Sequence, residues 1–244
     1  MSSSHSVLKK PRRKSSQEGS LAERAYQLIL DQILRGTLPL GAIVSRRRIA
    51  EQFDMSFIPV TAALQRLERD GLLESRPRAG TRVKIPTAEE VQGRFDIREA
   101  LECQSARLCA ERSTFQEHLD LKRSAEQMDI LNARAASDDE DRELMFAVQR
   151  HHNDLHTKIA IYARSEALRA AIENTHVLVF NWLFNTAVKH NPLPEGFHRQ
   201  LIDAIVSGDP EMAEAAMRAH VRIGVKNVLN AVSPESSTRW RERR

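Results

Sequence analysis

The chain has 244 residues, 41% hydrophobic and 29% charged, so it is long enough for two ordinary domains, each with its own core. Residues 1–85 carry 16 Lys and Arg against 8 Asp and Glu, a net charge of +8, whereas the remaining residues carry 21 against 25, a net charge of −4. The basic part is therefore the one expected to meet a polyanion, although an unremarkable basic surface would show the same excess.

The sequence contains no run of about 18 uninterrupted apolar residues, and the polar N-terminus lacks the apolar stretch of a secretory signal. We therefore expect a soluble cytoplasmic protein without a membrane partner. Cys103 and Cys109 lie six residues apart, which fits neither a CxxC metal pair nor a disulfide framework, and we interpret them as buried thiols.

Residues 1–18 are rich in Ser, Lys and Arg and have little apolar content, so we expect a disordered basic arm. The arm either follows DNA phosphates or only aids solubility. Residues 19–86 then have the pattern of a winged helix-turn-helix, with three helices and a small β-hairpin. The predicted elements are a helix from Leu21 to Arg35, a helix from the cap Ser45 to Phe53, a helix from the cap Ser56 to Asp70, and strands at 72–74 and 81–85.

Residues 87–231 read as an all-helical bundle, which makes the whole chain mainly α. Thr87 and Glu90 have the spacing of a capping box, so a helix is expected to begin there. Helical periodicity predicts six helices, or seven if one is divided, and residues 232–244 form a polar tail in which Trp240 is the one large apolar residue. The predicted spans are 88–112, 115–135, 138–163, 165–189, 194–207 and 209–230.

In helix-turn-helix proteins the second helix of the motif enters the major groove, and neighbouring residues hold phosphates. The exposed start of that helix and the arginines around it are therefore the candidate DNA contacts. They are Arg46, Arg47, Arg48, Ser56, Phe57, Thr61, Gln65, Arg76 and Arg78, with Arg82 in the wing.

Residues 20–83, "SLAERAYQLILDQILRGTLPLGAIVSRRRIAEQFDMSFIPVTAALQRLERDGLLESRPRAGTRV", resemble the GntR family and its FadR-like subfamily. The resemblance implies base-contacting arginines at the positions of Phe57 and Thr61, whereas Arg47 keeps the expected arginine. We hypothesise that Phe57 and Thr61 contact thymine methyl groups and shift recognition toward A/T-rich DNA. The alternative is that Phe57 packs beneath the helix.

Four of the nine histidines form a suggestive pattern. His152 and His156 are four residues apart on one helix and so point the same way, as helical metal sites require. His198 and His220 each lie near an apolar helical face. The pair by itself would favour a coincidence on the surface.

The segments "FDIREALECQSARLCAERST", "LHTKIAIYARSEAL" and "FHRQLIDAIVSGDPEMAEAAMRAHV" resemble the FCD effector domain of the same subfamily. This resemblance implies a divalent metal held by an Asp and three His, here His152, His156, His198 and His220. His152 replaces the usual Asp, and four imidazoles favour zinc or nickel. The alternative is a ligand pocket without metal.

Arg98 lies where the family places an arginine that faces the carboxylate of a small organic acid, and Glu102 is its neighbour one turn along. A simple ion pair between Arg98 and Glu102 is the alternative. The combined interpretation is a homodimeric repressor that binds a pseudo-palindromic operator and senses an acid through a metal. A constitutive dimeric DNA-binding protein and, more remotely, a zinc-dependent hydrolase are the other possibilities.

Overall fold

The computed structural model describes residues 14–76, 80–137, 141–186 and 193–232. The N-terminal part combines three helices with a three-stranded antiparallel sheet in the order β1-β3-β2. Its elements are α1 (Lys14–Leu34), β1 (Ile43–Val44), α2 (Arg46–Phe53), α3 (Phe57–Arg69), β2 (Leu73–Arg76) and β3 (Gly80–Val83).

The core of this part forms where α1 packs against α3. The apolar residues of α1 recur every four positions, at Ala25, Ile29 and Ile33, and all three are fully buried. Val60 and Leu67 of α3 are equally buried. The helical spacing of apolar residues thus sets the orientation of α3 and leaves its other face to solvent.

Between residues 88 and 232 the described segments form six helices, with α4 packed against four of the others. The capping box predicted at Thr87 and Glu90 is present at the start of α4. The helices are α4 (Ala88–Arg112), α5 (Phe115–Ser137), α6 (Arg142–Tyr162), α7 (Glu166–Thr186), α8 (Phe197–Val206) and α9 (Pro210–Val232).

The mainly α fold, the winged helix-turn-helix and the bundle of six helices are confirmed, with two corrections. Strand β1 was not predicted. It pairs with β3, with Ile43 opposite Arg82, and a strand of two residues is too short to show an alternating sequence pattern. Helix α1 begins at Lys14, so the prediction of disorder is wrong for residues 14–18. Extending an existing helix avoids the cost of nucleation, which explains how polar residues join it.

Cys103 and Cys109 are buried free thiols as predicted, and burial raises the pKa of each to about 11. Within the described parts of the chain, no helix is long and apolar enough to cross a bilayer. The rest of the predicted arm, residues 1–13, and residues 233–244 of the predicted tail, including Trp240, lie outside the described residues.

Candidate DNA interface and metal centre

Helices α2 and α3 form the helix-turn-helix. Ser45 caps α2, its side chain accepting from the backbone N–H of Arg48 at 3.4 Å. Asp54 ends α2 in the left-handed conformation, with φ of 50°, and the chain turns directly into α3. Ser56 occupies the N-cap position of α3 but its side chain makes no capping hydrogen bond there.

The predicted phosphate contacts lie on the surface. Arg46, Arg47 and Arg48 are all exposed, and Arg47 also donates to Glu51 at 2.8 Å on the same helix. Arg76 of the wing is exposed and lies 3.3 Å from Glu74. Among the predicted wing residues, Arg82 is partly buried beside Glu74, and Arg78 lies outside the described residues.

The start of α3 exposes both polar and apolar side chains. Phe57 is 55% exposed, so the alternative that it packs beneath the helix is wrong. Thr61 donates its hydroxyl to the backbone carbonyl of Phe57 at 2.7 Å. Ser56 and Gln65 are exposed. This face is therefore open to a partner.

Three of the predicted histidines converge inside the helical bundle. The Nε2 atoms of His152 and His156 lie 3.1 Å apart, and that of His220 lies 3.0 Å from His152 and 3.1 Å from His156. Each ring nitrogen has one lone pair or one hydrogen in the ring plane, so three of them cannot all satisfy one another by hydrogen bonds. Three ring nitrogens at this spacing have the arrangement that three ligands around one ion would adopt.

His198 of α8 lies next to this group, but its ring nitrogens are not among the three that lie within 4.8 Å of one another. Its ring centre lies 5.4 Å from that of His152 and 5.2 Å from that of His220. Its Nδ1 contacts Asp129 at 2.8 Å, while its buried Nε2 has no hydrogen-bond partner among the described residues. The ring is thus held on one side by a carboxylate and has an unsatisfied nitrogen on the other.

Glu102 has a similar relation to His156. Its Oε2 lies 2.6 Å from His156 Nδ1, a contact with the distance but not the angles of a hydrogen bond. Its Oε1 accepts from Arg98 Nε at 2.7 Å and lies 2.6 Å from His176 Nε2. Carboxylates on the far nitrogen of metal-binding histidines orient the ring and raise its basicity.

Burial and neighbouring charges set the protonation of the cluster. Burial is the main cause that lowers the pKa of His152 and His220 well below the usual value, with the neighbouring imidazoles adding to it. Burial also lowers the pKa of His156 to about 4, although Glu102 opposes this shift. These imidazoles are therefore neutral at pH 7, which is the form that binds metal.

The two carboxylates remain ionised. Burial would raise the pKa of Glu102, but Arg98 and His156 outweigh it and hold that pKa well below the usual value. Burial likewise opposes ionisation of Asp129, and the hydrogen bond from His198 is the first of the contacts that lower its pKa. The site thus combines neutral ligands with anionic supports.

The ion pair between Arg98 and Glu102 is present and both side chains are buried. Arg98 also reaches the histidines, because its Nη2 lies 3.4 Å from His156 Nε2. One guanidinium therefore joins the carboxylate of Glu102 to the edge of the imidazole triangle. Asp154 lies two residues after His152, which stands where the resemblance implies an Asp ligand, but the Asp154 side chain is exposed.

Two members of the site were missed from the sequence. His176 has a weak signal, since it follows the buried Ile172 by four residues on α7. Asp129 has no local signal, because its partner His198 is 69 residues away. Both positions depend on how α5 and α7 pack in the bundle.

The residues present fit a bound divalent metal. Nitrogen ligands bind zinc at about 2.0–2.1 Å, so two such bonds at a tetrahedral angle place their nitrogens about 3.3 Å apart, close to the 3.0 and 3.1 Å of the triangle. The unsatisfied Nε2 of His198 supplies a further donor at the edge of the group. The donor set consists of imidazoles, which suit zinc and nickel better than magnesium or calcium.

Comparison with known proteins assigns the chain to a family. Residues 21–83 match "Bacterial regulatory proteins, gntR family", and residues 94–223, more than half of the chain, match the FCD domain. The chain belongs to the GntR family and carries an FCD domain. It is a DNA-binding transcription regulator.

Relatives and solved structures agree. The chain is 31% identical over 205 residues to the "Probable D-xylose utilization operon transcriptional repressor" of Paenarthrobacter nicotinovorans, covering 83% of this chain and 86% of that protein. It is 27% identical to the "HTH-type transcriptional repressor RspR" of Escherichia coli K12, covering 82% of this chain and 85% of that protein. A GntR regulator from Rhodococcus sp. RHA1 shares the fold, with a TM-score of 0.71 and 20% identity over 87% of this chain and 99% of that one.

These matches exclude the enzyme among the alternative functions. The matched families and named relatives are transcription regulators and not enzymes, so the zinc-dependent hydrolase is rejected. The histidine cluster therefore lies in a transcription regulator.

Proposed function

We propose that this GntR regulator is a ligand-responsive repressor whose FCD domain senses a small organic acid through a bound divalent metal. The observation that carries the proposal is the triangle of Nε2 atoms from the partly buried His152 and the buried His156 and His220. His198 is the fourth ligand in this account. Zinc and nickel are the metals that the four imidazoles favour.

The metal, when bound, supplies a positive centre with coordination positions that an oxygen ligand can take. Arg98 supports an acid as that ligand, because its guanidinium lies beside the imidazole of His156 and carries donors suited to a carboxylate. Glu102 fixes Arg98 through the ion pair, which orients the guanidinium in advance.

Helix α6 offers a route from this site to the DNA-binding part. It carries His152 and His156, and near its start Glu143 accepts from Arg35 Nη1 at 3.0 Å. The Arg35 guanidinium also lies 4.3 Å from the ring centre of Phe146. A shift of α6 on ligand binding would therefore change the contacts of Arg35, which follows the last residue of α1.

We propose further that the protein acts in the cytoplasm as a homodimer on a pseudo-palindromic operator, since a two-fold dimer presents two recognition helices to two half-sites. Repression is supported by the printed names of two relatives. The exposed arginines of α2 and the wing would hold phosphates, and the start of α3 would face the bases.

Elemental analysis of untagged protein tests the metal site. We expect about one zinc or nickel per chain, retained by wild type and lost from His156→Ala and His220→Ala. His151→Gln is the matched control, because His151 lies on the same helix but contacts the backbone carbonyl of Ser124. Absence of metal from wild type, even after loading with either ion, would leave a regulator whose histidines line a metal-free pocket.

A further inference from the structure

The first turn of α3 exposes two adjacent large apolar side chains. Phe57 is 55% exposed and Ile58 is 69% exposed, whereas the apolar residues farther along, Val60, Leu64 and Leu67, are buried. Exposure of such side chains does not stabilise the fold. They lie at the end of the helix that the motif directs into the major groove, so their position points to a partner.

The surroundings identify the partner as DNA. Arg46, Arg47 and Arg48 are exposed on the preceding helix, and residues 1–85 carry a net charge of +8. Exposed arginines beside the apolar side chains fit the phosphates on either side of a DNA groove better than they fit a protein partner. Within the major groove, thymine is the base that presents a methyl group.

Thr61 adds to the apolar character of this face. It lies one helical turn after Phe57, and its hydroxyl is already committed to the Phe57 carbonyl at 2.7 Å. Its methyl group is therefore the part left for a base. Gln65 follows after one further turn on the same face, and its exposed amide can pair with adenine N6 and N7.

Bidentate donors for guanine are missing from the same stretch, since residues 57–65 contain no Arg or Lys. The next residue, Arg66, is engaged elsewhere: it donates to Glu23 at 2.5 Å and lies over the ring of Tyr26. Guanine is most often recognised by Arg or Lys. The first two turns of α3, which the motif directs at the bases, therefore have no side chain free for that contact.

We propose that α3 reads A·T base pairs, with Phe57, Ile58 and Thr61 contacting thymine methyl groups and Gln65 contacting adenine. The proposal rests on the DNA binding of the family and not on the metal site. Base specificity would then come from apolar contacts with thymine methyl groups, while contacts between the arginines and the phosphates position the helix.

Selection from a randomised operator library with the full chain is the first test. We expect A/T-rich sequence at the positions that face α3 in each half-site. Enrichment of guanine at those positions, or no enrichment there, would overturn the proposal while leaving the assignment as a DNA-binding regulator intact.

Replacing single thymidines by deoxyuridine in the selected operator removes only the methyl group. Burial of one methyl group is worth about a fourfold change in affinity, so each contacted position should weaken binding by about fourfold. For the Phe57→Ala variant, replacing the thymidine that faces residue 57 by deoxyuridine should change the operator affinity little further. Equal affinity for both operators with wild type would contradict the contact.

Ile130→Ala is the matched control for removing an exposed apolar side chain. Ile130 is 56% exposed on α5, outside the helix-turn-helix, so its replacement should leave the sensitivity to deoxyuridine unchanged. A loss of that sensitivity in Ile130→Ala as large as in Phe57→Ala would show that the effect is not local to α3. Thermal melting confirms that each variant is folded.

Discussion

At the scale of single residues, Glu102 is central because it connects Arg98 to the histidines, the two parts of the proposed effector site. One oxygen accepts from Arg98 and contacts His176, and the other lies against His156 Nδ1. Its side chain is 1% exposed, so water cannot replace these contacts. The carboxylate therefore orients both a proposed metal ligand and the proposed acid-binding guanidinium.

We expect Glu102→Gln to weaken metal binding by about 10- to 100-fold, the range typical of lost support for a ligating histidine. Isothermal titration calorimetry of zinc into chelator-treated protein measures the zinc affinity of the wild type and of the variant. Glu99→Gln is the control, since Glu99 lies on the same helix but pairs with Arg218 and Arg222. An unchanged affinity in Glu102→Gln would mean that the contact with His156 has no role in metal binding.

At the scale of helices, sequence patterns predicted the elements well where apolar residues repeat. The predicted span of α4 matches the observed one, because its capping box and its end at Arg112 leave local signals. Strand β1 escaped prediction, since two residues cannot show alternation and the strand exists through its pairing with β3. Local patterns specify helices, while pairing between distant segments does not appear in them.

The same distinction applies to the histidine site. The spacing of His152 and His156 was visible in the sequence because both lie on α6. Their meeting with His220 at 3.0 and 3.1 Å was expected only from the family resemblance, and the contact with Glu102 was not predicted. Contacts across α4, α6 and α9 require the packing of the bundle, which no single segment encodes.

Packing of these helices also makes stability depend on pH. Burial lowers the pKa of His156 to about 4 and those of His152 and His220 well below 6.5. Below pH 6.5 the unfolded chain binds protons that the folded chain does not bind, so the stability present above pH 6.5 is lost as pH falls toward 4.

We therefore expect the Tm of chelator-treated protein to be lower at pH 5.5 than at pH 7.5. His156→Asn should show a smaller difference, because the variant lacks one of the groups that must stay neutral in the fold. A Tm that is equal or higher at pH 5.5 in wild type would contradict the buried neutral state of the imidazoles. Differential scanning calorimetry in buffers of matched ionic strength provides the comparison.

At the scale of the whole molecule, helix α6 links the proposed ligand site in the bundle to the DNA-binding part. Arg35 at the end of α1 contacts Glu143 and Phe146 of α6, the helix that also carries His152 and His156. Coupling between two sites is a difference in binding free energy and acts equally in both directions. An acid that weakens operator binding must therefore bind less tightly when the operator is present.

The measurement that tests this account most directly is operator affinity of the zinc-loaded and chelator-treated protein, each with and without acetate, lactate or succinate. We predict that at least one acid weakens operator binding by about fivefold or more in the zinc-loaded protein, within the usual range of allosteric coupling, and that chelation abolishes the response. The response should survive in His151→Gln and disappear in His156→Ala. Equal affinity under all of these conditions would contradict the account and favour a constitutive DNA-binding protein.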